Sequence, residues 1–248
     1  MEMVKSLTST FSPLMNKQLI RKAHRWLGLF FSLSILMSAG SGVIHNVMTR
    51  TQAPPPSARP SGNGLEVSQI KLGVAEATAK LPESAEGTVA VNVRSIGHQP
   101  WYQIYTKTNR AAQYVSAVDG RVDPAQDETY AAEIAAAFLG GAQVKKSSYL
   151  TAFNNEYINI FRLLPVYRFD LGDALHTRVY VSTTTGSVTR HTDDQRQWEA
   201  NVFTNFHKLG FIPNKDLRDL VLTTLTAATC LVTLLGVLLF FLTRPRRN

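Results

Sequence analysis

Two long runs without a charged residue dominate the pattern of apolar and polar positions along the chain. The first covers residues 26–48 and has 23 residues, and the second covers residues 220–243 and has 24. An α-helix needs roughly 20 apolar residues to cross the hydrocarbon core of a bilayer. The sequence therefore predicts a transmembrane helix in each run.

Basic residues beside the two runs indicate how the chain is oriented. Residues 1–25 contain five Lys or Arg residues against one acid, and residues 244–248 contain three against none. These eight are Lys5, Lys17, Arg21, Lys22, Arg25, Arg244, Arg246 and Arg247. The positive-inside rule then predicts that both termini are cytoplasmic. The segment between the spans would lie in the periplasm of a bacterium, with the spans in its inner membrane.

A cleaved signal peptide is the alternative interpretation of the first run, because Ala39-Gly40-Ser41 resembles a cleavage site. Two features favour a retained helix. The basic stretch in front of the run is long for a signal peptide, and the apolar run continues past the small residues to Met48.

The net charge and the cysteine content limit which partners and which stabilising bonds the chain can have. The formal net charge is +8, but 8 of the 26 basic residues are those that orient the spans, so we expect membrane lipid and no nucleic acid as a partner. The one cysteine, Cys230, lies inside the second span and can form no disulfide within the chain. The outer domain must therefore be stabilised by packing.

The segment between the spans begins with a proline-rich linker at residues 49–64, which favours an extended polyproline conformation. Helical spacing and strand-like alternation follow. Helices are predicted at 67–81 and 129–139, and strands at 89–93, 101–105, 113–118, 166–171 and 177–183. A membrane-proximal segment at 196–219 leads to the second span.

Two parts of this segment resemble each other. Pro100 to Val122 parallels Pro165 to Val188 at an offset of about 65 residues, with matching strands and a glycine turn, and each copy follows a predicted helix. We therefore predict an α+β membrane protein: two transmembrane helices and a periplasmic domain of two helix and antiparallel-sheet repeats, at 65–128 and 129–195. The aromatic residues of the strands are predicted to be core.

Several motifs carry a family resemblance. YRFDL at 167–171, VYVSTTTGSV at 179–188 and HTDDQRQWE at 191–199 resemble the PepSY unit, a helix against a short sheet. AHRWLGL at 23–29 and FHKLGF at 206–211 resemble the PepSY-associated transmembrane family. That family includes haem-containing inner-membrane reductases of ferric iron or ferric siderophores, and the two-span size is similar to its small VciB-like members, which feed ferrous-iron transport. The resemblance implies haem b as cofactor, and a homodimer would complete a four-helix bundle.

Three of the six histidines lie at predicted membrane boundaries. His24 and His45 are 21 residues apart, which is about 31 Å along a helix, so they cannot ligate one haem from a single helix. His45 and His207 are the predicted axial pair for haem at the periplasmic face, within one chain or across a dimer. His24 is either a further ligand or an interfacial residue. Two imidazole ligands leave no open iron position and suit electron transfer.

Each of these histidines has a glycine three or four residues away: Gly28, Gly42 and Gly210. On a helix this spacing would remove a side chain from the ligand's own face and give a porphyrin room to approach. The alternative is that glycine is simply common in transmembrane helices.

A second candidate site lies on the segment that returns to the membrane. His191, Asp193, Asp194 and Glu199 offer nitrogen and oxygen ligands for substrate ferric iron, and a solvated acidic loop is the alternative.

These features together predict a haem-b ferric reductase that passes electrons across the membrane to periplasmic ferric iron or a ferric chelate. No Gly-x-Gly-x-x-Gly follows a strand, so a quinol or a cytoplasmic donor would supply the electrons. Two alternatives remain: a haem-free PepSY binding module anchored by its spans, and an accessory subunit of a ferrous-iron transporter.

Overall fold

The computed structural model describes residues 17–52, 64–82, 87–108, 111–160 and 163–243. The chain divides into two compact units: the helical unit, Met1–Gln52 with Trp198–Asn248, and the sheet unit, Ala53–Gln197. The prolines of the predicted linker lie outside the described residues, as do the terminal segments with Lys5, Arg244, Arg246 and Arg247.

The described elements alternate short helices with antiparallel strands between two long helices. In chain order they are α1 (Lys17–Thr51), a 3₁₀ turn (Val67–Gln69), α2 (Val74–Thr78), β1 (Thr88–Ile96), β2 (Gln99–Thr106), β3 (Gln113–Ser116), α3 (Gln126–Phe138), β4 (Lys145–Leu150), β5 (Val166–Asp170), β6 (Arg178–Ser182), β7 (Ser187–Thr192), α4 (Asp194–Val202), a π-helical turn (Phe203–His207) and α5 (Lys215–Thr243). The predicted mixed α+β class with two long apolar helices is confirmed.

The long helices α1 and α5, with 35 and 29 residues, are both long and apolar enough to cross a membrane. Only 6% of the most apolar window of each helix is buried, and Phe30 on α1 is 77% exposed. A contiguous apolar surface of this kind is stable against lipid or a protein partner but not against water. The exposure therefore distinguishes α1 and α5 from the core helices of a water-soluble protein.

The sheet unit contains two separate antiparallel meanders, ordered β1-β2-β3 and β4-β5-β6-β7. In the first, Trp101 pairs with Ser116, and in the second, Tyr167 pairs with Val181. The first sheet has a single bridge, Val115 to Val122, where the second has the full strand β7. Pro124 follows shortly after Val122, and proline cannot donate a hydrogen bond to a ladder.

The two sheets are packed by their preceding helices in the same way. Ala77 of α2 packs against Tyr102 and Ile104 of β2. Ile134 of α3 packs in a cluster with Tyr167 and Phe169 of β5, which occupy the corresponding positions of the second sheet. Each helix thus covers the equivalent face of the sheet that follows it, as the internal resemblance predicts.

The glycine turns of the two sheets are also equivalent. Gly120 and Gly186 have φ values of +76° and +66°, and each donates its N–H to a serine carbonyl, Ser116 or Ser182. This left-handed conformation favours glycine, which explains why the turn contains a glycine in both copies.

Helix α3 differs from the prediction because it packs against both sheets. Trp101 and Tyr114 of the first sheet pack in the same cluster as Ile134 and the second sheet. Asp127 at the start of α3 accepts hydrogen bonds from the hydroxyls of Tyr114, at 2.7 Å, and Tyr167, at 2.9 Å. Burial and the Asp127 carboxylate raise the pKa of both phenols, so they remain neutral donors. The two sheets therefore share one core.

The predicted helix at 67–81 was wrong in its length. The chain forms only the 3₁₀ turn and the five-residue α2, because the N–H groups of Lys71 and Leu72 donate instead to the carbonyl of Ala117. Gly73 then takes an extended conformation at the start of α2. Long-range backbone pairing here outweighs the helical spacing of the apolar residues.

Candidate functional site

A group of polar side chains of the helical unit lies along one face of α1. Ser38, Ser41 and His45 are spaced i, i+3 and i+7, which places them on the same side of an α-helix. The π-helical turn contributes His207 and Phe203, and α4 contributes Glu199. We call these six residues the histidine cluster.

His45 is held by a buried carboxylate. Its Nδ1 atom forms a hydrogen bond with Oε1 of Glu199. The Glu199 residue is only 8% exposed, and its Oε2 atom accepts a hydrogen bond from Nε2 of Gln52. When Nδ1–H of His45 donates to this carboxylate, Nε2 is the remaining ring nitrogen.

His207 is held in a similar way by neutral groups. Its Nδ1 atom lies 3.2 Å from the backbone carbonyl of Ser38, and 3.3 and 3.4 Å from the hydroxyls of Ser38 and Ser41. The carbonyl can only accept, so Nδ1 of His207 is also the protonated nitrogen in this contact. Both histidines therefore present Nε2 as the nitrogen with a lone pair.

Phe203 joins the two histidines. Its ring centroid lies 4.6 Å from that of His45 and 4.5 Å from that of His207, with an interplanar angle of 12° to the latter. Phe203 and His207 are the first and last residues of the π-helical turn, and such turns occur frequently at functional sites. The turn thus brings the imidazole of a segment far away in sequence to the face of α1 that carries His45.

An apolar cavity of about 900 Å³ lies beside the cluster within the helical unit. Its walls come from α1, α5 and residues 206–212, and they include His207, Ser38 and Gly42. Its lining is predominantly carbon, and a ligand site in a protein typically occupies about 300–1,000 Å³. His207 is thus a polar group in the wall of a mainly apolar, ligand-sized space.

His24 occupies a different place. Its Nδ1 atom donates to the backbone carbonyl of Val232 on α5 at 3.0 Å. A Cβ atom at Gly236 would lie 3.0 Å from Cε1 of His24, so the glycine makes room for the ring. His24 precedes Ser38 by 14 residues, about 21 Å of helix. The structure therefore places His24 in the packing of the two long helices, away from the histidine cluster.

The three glycines beside the histidines have three different surroundings. At Gly42 a Cβ atom would meet nothing within 4 Å, and the residue lines the cavity. A Cβ atom at Gly28 would lie 3.7 Å from Cγ1 of Val232, which is ordinary van der Waals contact, so Gly28 lies in the packing of the two long helices. Gly210 lies beyond the π-helical turn, where its Cβ would clash with Thr204 at 2.5 Å. The helical-face interpretation is wrong for Gly210, because that residue is not on a helix.

The four residues predicted to bind substrate iron are bonded to other side chains. Nη1 of Arg196 lies 2.8 Å from Nδ1 of His191 and 3.1 Å from Oδ2 of Asp193. Asp194 accepts from Arg178 and pairs with His176, both at 2.7 Å. Glu199 is the partner of His45.

The local charges also oppose binding of a cation at these positions. The guanidinium of Arg178 contacts Asp194, and that of Arg196 contacts both His191 and Asp193, so a positive charge already lies against each of these ligands. Within the described parts of the chain, no group of three or more His, Cys, Asp or Glu side chains is placed to hold a metal ion. The predicted iron cluster is therefore not formed.

Sequence reasoning missed Ser38, Ser41 and Phe203, and it assigned Glu199 a different role. The helical spacing of Ser38, Ser41 and His45, and the four-residue spacing of Phe203 and His207, are signals that would have grouped these residues. The pairing of Glu199 with His45 joins residues 154 apart and has no local signal.

The fold and the cluster define a mixed α+β protein with two helices long and apolar enough to span a membrane, and with one histidine of the cluster, His207, in the wall of an apolar cavity. No family model matches the chain, and no curated protein or solved structure matches it. Its function is therefore inferred from its own side chains.

Proposed function

We propose that the chain is a haem-b ferric reductase of the bacterial inner membrane, which passes electrons to periplasmic ferric iron or a ferric chelate to give ferrous iron for uptake. The observation that supports this most strongly is the paired arrangement of His45 and His207. Both rings have Nδ1 bonded to an acceptor and contact the same Phe203 ring.

The two imidazoles are donors of a kind that haem iron takes, but only His207 lines the cavity, and the Phe203 ring lies against both imidazoles. A histidine that ligates a metal through one nitrogen usually donates the other N–H to a carboxylate, a carbonyl or water, which sets the tautomer and the ring orientation. Glu199 and the Ser38 carbonyl supply two such acceptors. The cavity of about 900 Å³ is of ligand size, and its open position at Gly42 leaves room for a flat group.

Bound haem would supply the one-electron chemistry, and the chain would supply binding and orientation. His45 and His207 would hold the iron through Nε2, and two imidazoles suit electron transfer rather than oxygen binding. The aromatic and aliphatic side chains around the cavity, among them Phe31, Phe206 and Leu225, would exclude water from the site. A quinol or a cytoplasmic protein would donate the electrons.

The proposed topology places both termini in the cytoplasm and the sheet unit, as a PepSY-like domain, in the periplasm. The exposed apolar surfaces of α1 and α5 support insertion. The contacts of Ser38 and Ser41 with His207 support a retained α1, because cleavage after residue 41 would remove both serines from the mature chain. A homodimer and a ferrous-iron transporter are the proposed protein partners.

Haem counted per chain in the detergent-purified protein tests the proposal. We expect His45→Ala and His207→Ala to lose most of the haem while still inserting into the membrane fraction. His98→Asn is the matched control, because His98 lies in an exposed hairpin turn with a φ of +60°, which asparagine tolerates. Full haem content in either ligand variant, or loss in the control alone, would overturn the assignment.

The same preparation decides between the alternatives. A haem-free wild-type protein, expressed with an ample haem supply, would favour the anchored binding module. Co-purification with a ferrous-iron transporter in that haem-free state would favour the accessory subunit.

A further inference from the structure

One loop of the sheet unit exposes large apolar side chains. It joins β4 to β5, its described residues are 151–160 and 163–165, and we call it the β4–β5 loop. Four of its large apolar residues are 39–49% exposed, namely Phe153, Ile158, Ile160 and Leu163. Large apolar side chains that are crowded on one exposed segment mark a surface that contacts a protein or a membrane.

Buried contacts fix the shape of the β4–β5 loop. Tyr157 is fully buried, and its ring stacks on that of Tyr180 with the centroids 4.8 Å apart. The Tyr157 hydroxyl donates to the carbonyl of Leu163 at 2.9 Å, and Oδ1 of Asn154 accepts from the N–H of Tyr157 at 2.6 Å. The surface is therefore preformed, so it loses little conformational freedom when it binds.

The charge of the β4–β5 loop is neutralised where it occurs. Glu156 is the one charged residue among the described residues of the loop, and its Oε1 atom accepts from Nε of Arg178 and from the Tyr180 hydroxyl. The other polar residues of the described loop are uncharged: Thr151, Asn154, Asn155, Tyr157 and Asn159. An unpaired charge would oppose entry into a bilayer, and the described loop presents none.

One turn of the β4–β5 loop lies at the end of the second sheet from which the chain continues towards α5. Arg178, the first residue of β6, bonds both to Glu156 of the loop and, at 2.7 Å, to Asp194, where α4 begins. Arg178 also pairs with Thr192, the last residue of β7. In the chain, α1 precedes the sheet unit and α5 follows it, and both helices are long and apolar enough to span a membrane.

We propose that the β4–β5 loop is a membrane-contact site, which inserts its exposed apolar side chains into the interfacial layer of the bilayer that holds α1 and α5. Lipid is favoured over a separate protein because a sheet unit tethered at both ends is always close to the bilayer, which gives lipid a high effective concentration. Apolar surfaces of interfacial segments enter the headgroup and acyl boundary by about 5–10 Å. The contact requires that α1 and α5 span the bilayer, and it does not depend on haem.

Spin-label accessibility in the full chain tests the contact. A nitroxide is attached to Asn159→Cys in a Cys230→Ala background, because Asn159 is exposed and its replacement leaves the four apolar residues in place. The protein is reconstituted in nanodiscs of phosphatidylethanolamine and phosphatidylglycerol. Oxygen concentrates in a bilayer, whereas a water-soluble nickel chelate is excluded from it. Val89→Cys is the control site, because Val89 is 65% exposed on β1, outside the loop.

We expect the label at residue 159 to be more accessible to oxygen than to the nickel chelate, and the label at residue 89 to show the reverse. Equal accessibilities at the two sites would overturn the proposal, because the loop would then share the surroundings of an ordinary exposed strand. A label at residue 159 that is protected from both reagents would also overturn it, because the loop would then be covered by protein.

A double substitution tests whether the apolar side chains cause the insertion. Phe153→Ser with Ile160→Ser should shift the label at residue 159 towards the nickel chelate. Val67→Ser with Val74→Ser is the matched control, since both valines are exposed in the sheet unit outside the loop, and it should leave the label unchanged. All four substitutions replace exposed side chains, so circular dichroism should show an intact fold. An unchanged label in the first variant would overturn the role of these side chains.

Haem content and loop accessibility are measured independently. A lipid-accessible loop in a haem-free protein would support the membrane contact and overturn the haem assignment. A haem-loaded protein with a water-exposed loop would do the opposite.

Discussion

The helical unit and the sheet unit use polar and apolar side chains in opposite ways. In the sheet unit the large side chains form the core: Trp101 is 2% exposed and Tyr114 is fully buried. In the helical unit Phe30 and Leu36 are 77% and 68% exposed, and the buried residues include Ser41 and Glu199. Apolar packing therefore stabilises the sheet unit, whereas specific polar contacts define the helical unit. Substitutions of apolar residues should affect stability in the first, and substitutions of polar residues should affect function in the second.

The largest expected effect contrasts two aromatic residues. Trp101→Ala should cost about 3–5 kcal/mol of stability, because it removes a buried ring from the core shared by both sheets. Phe30→Ala removes an equally apolar ring from an exposed face of α1 and should leave the sheet unit unchanged. Thermal unfolding followed by circular dichroism, with limited proteolysis of the full chain, measures both. Similar losses in the two variants would contradict the comparison.

Backbone turns in the sheet unit provide the next test. Gly186→Ala forces an L side chain to a φ of +66°, and its Cβ would lie 2.5 Å from the Tyr130 hydroxyl. Strain of this kind costs about 1–3 kcal/mol before the clash is counted. Gly97→Ala has a similar φ of +57° but meets nothing within 4 Å, so it should lose only the strain. Equal denaturant midpoints for the two variants would show that the close packing around Gly186 is absent.

A glycine in the helical unit should instead affect binding. Gly42→Leu would fill part of the apolar cavity, because the space around its Cβ is open and the residue lines the wall. We expect haem binding to weaken tenfold or more, about 1.4 kcal/mol, with no loss of sheet-unit stability. Gly40→Leu is the control, since its Cβ position is also open. Titration of haem-free protein with haem measures the difference, and equal affinities would place the haem elsewhere.

The smallest expected effect concerns pH and the sheet unit. Burial and Arg196 lower the folded-state pKa of His191 below its unfolded value of about 6.5. Between these two pKa values the unfolded chain binds more protons, so the free energy of unfolding decreases as the pH falls below about 6.5. His191→Gln should remove this part of the decrease. Denaturant titrations at pH 7.5 and 5.5 measure it, and an identical pH dependence in the variant would contradict it.

The sequence predicted those elements best whose apolar periodicity matches the surroundings of their side chains in the structure. The two uncharged runs predict α1 and α5, and the strand-like alternation at 101–105 predicts β2, because those side chains alternate between two packed faces. The offset of about 65 residues predicts equivalent turns at Gly120 and Gly186, since both need the left-handed conformation.

The features that the sequence did not predict depend on contacts between residues that are far apart in the chain. Strand β4 is polar, and it forms because β5 supplies its pairing partners. The sharing of α3 by two sheets requires Tyr114 and Tyr167 to converge on Asp127. The bond between Glu199 and His45 also joins residues that are distant in sequence, so the sequence did not reveal it. The sequence neighbours of Glu199 suggested an acidic metal site instead. No periodicity in the sequence encodes such convergence.

A reduced-minus-oxidised absorption spectrum of the detergent-purified full chain, followed by addition of a ferric chelate, tests whether the protein is a haem-b ferric reductase. We expect a b-type signal that ferric iron reoxidises and that His207→Ala removes. A protein with no b-type signal after expression with ample haem, or a signal that persists unchanged in His207→Ala, would contradict it.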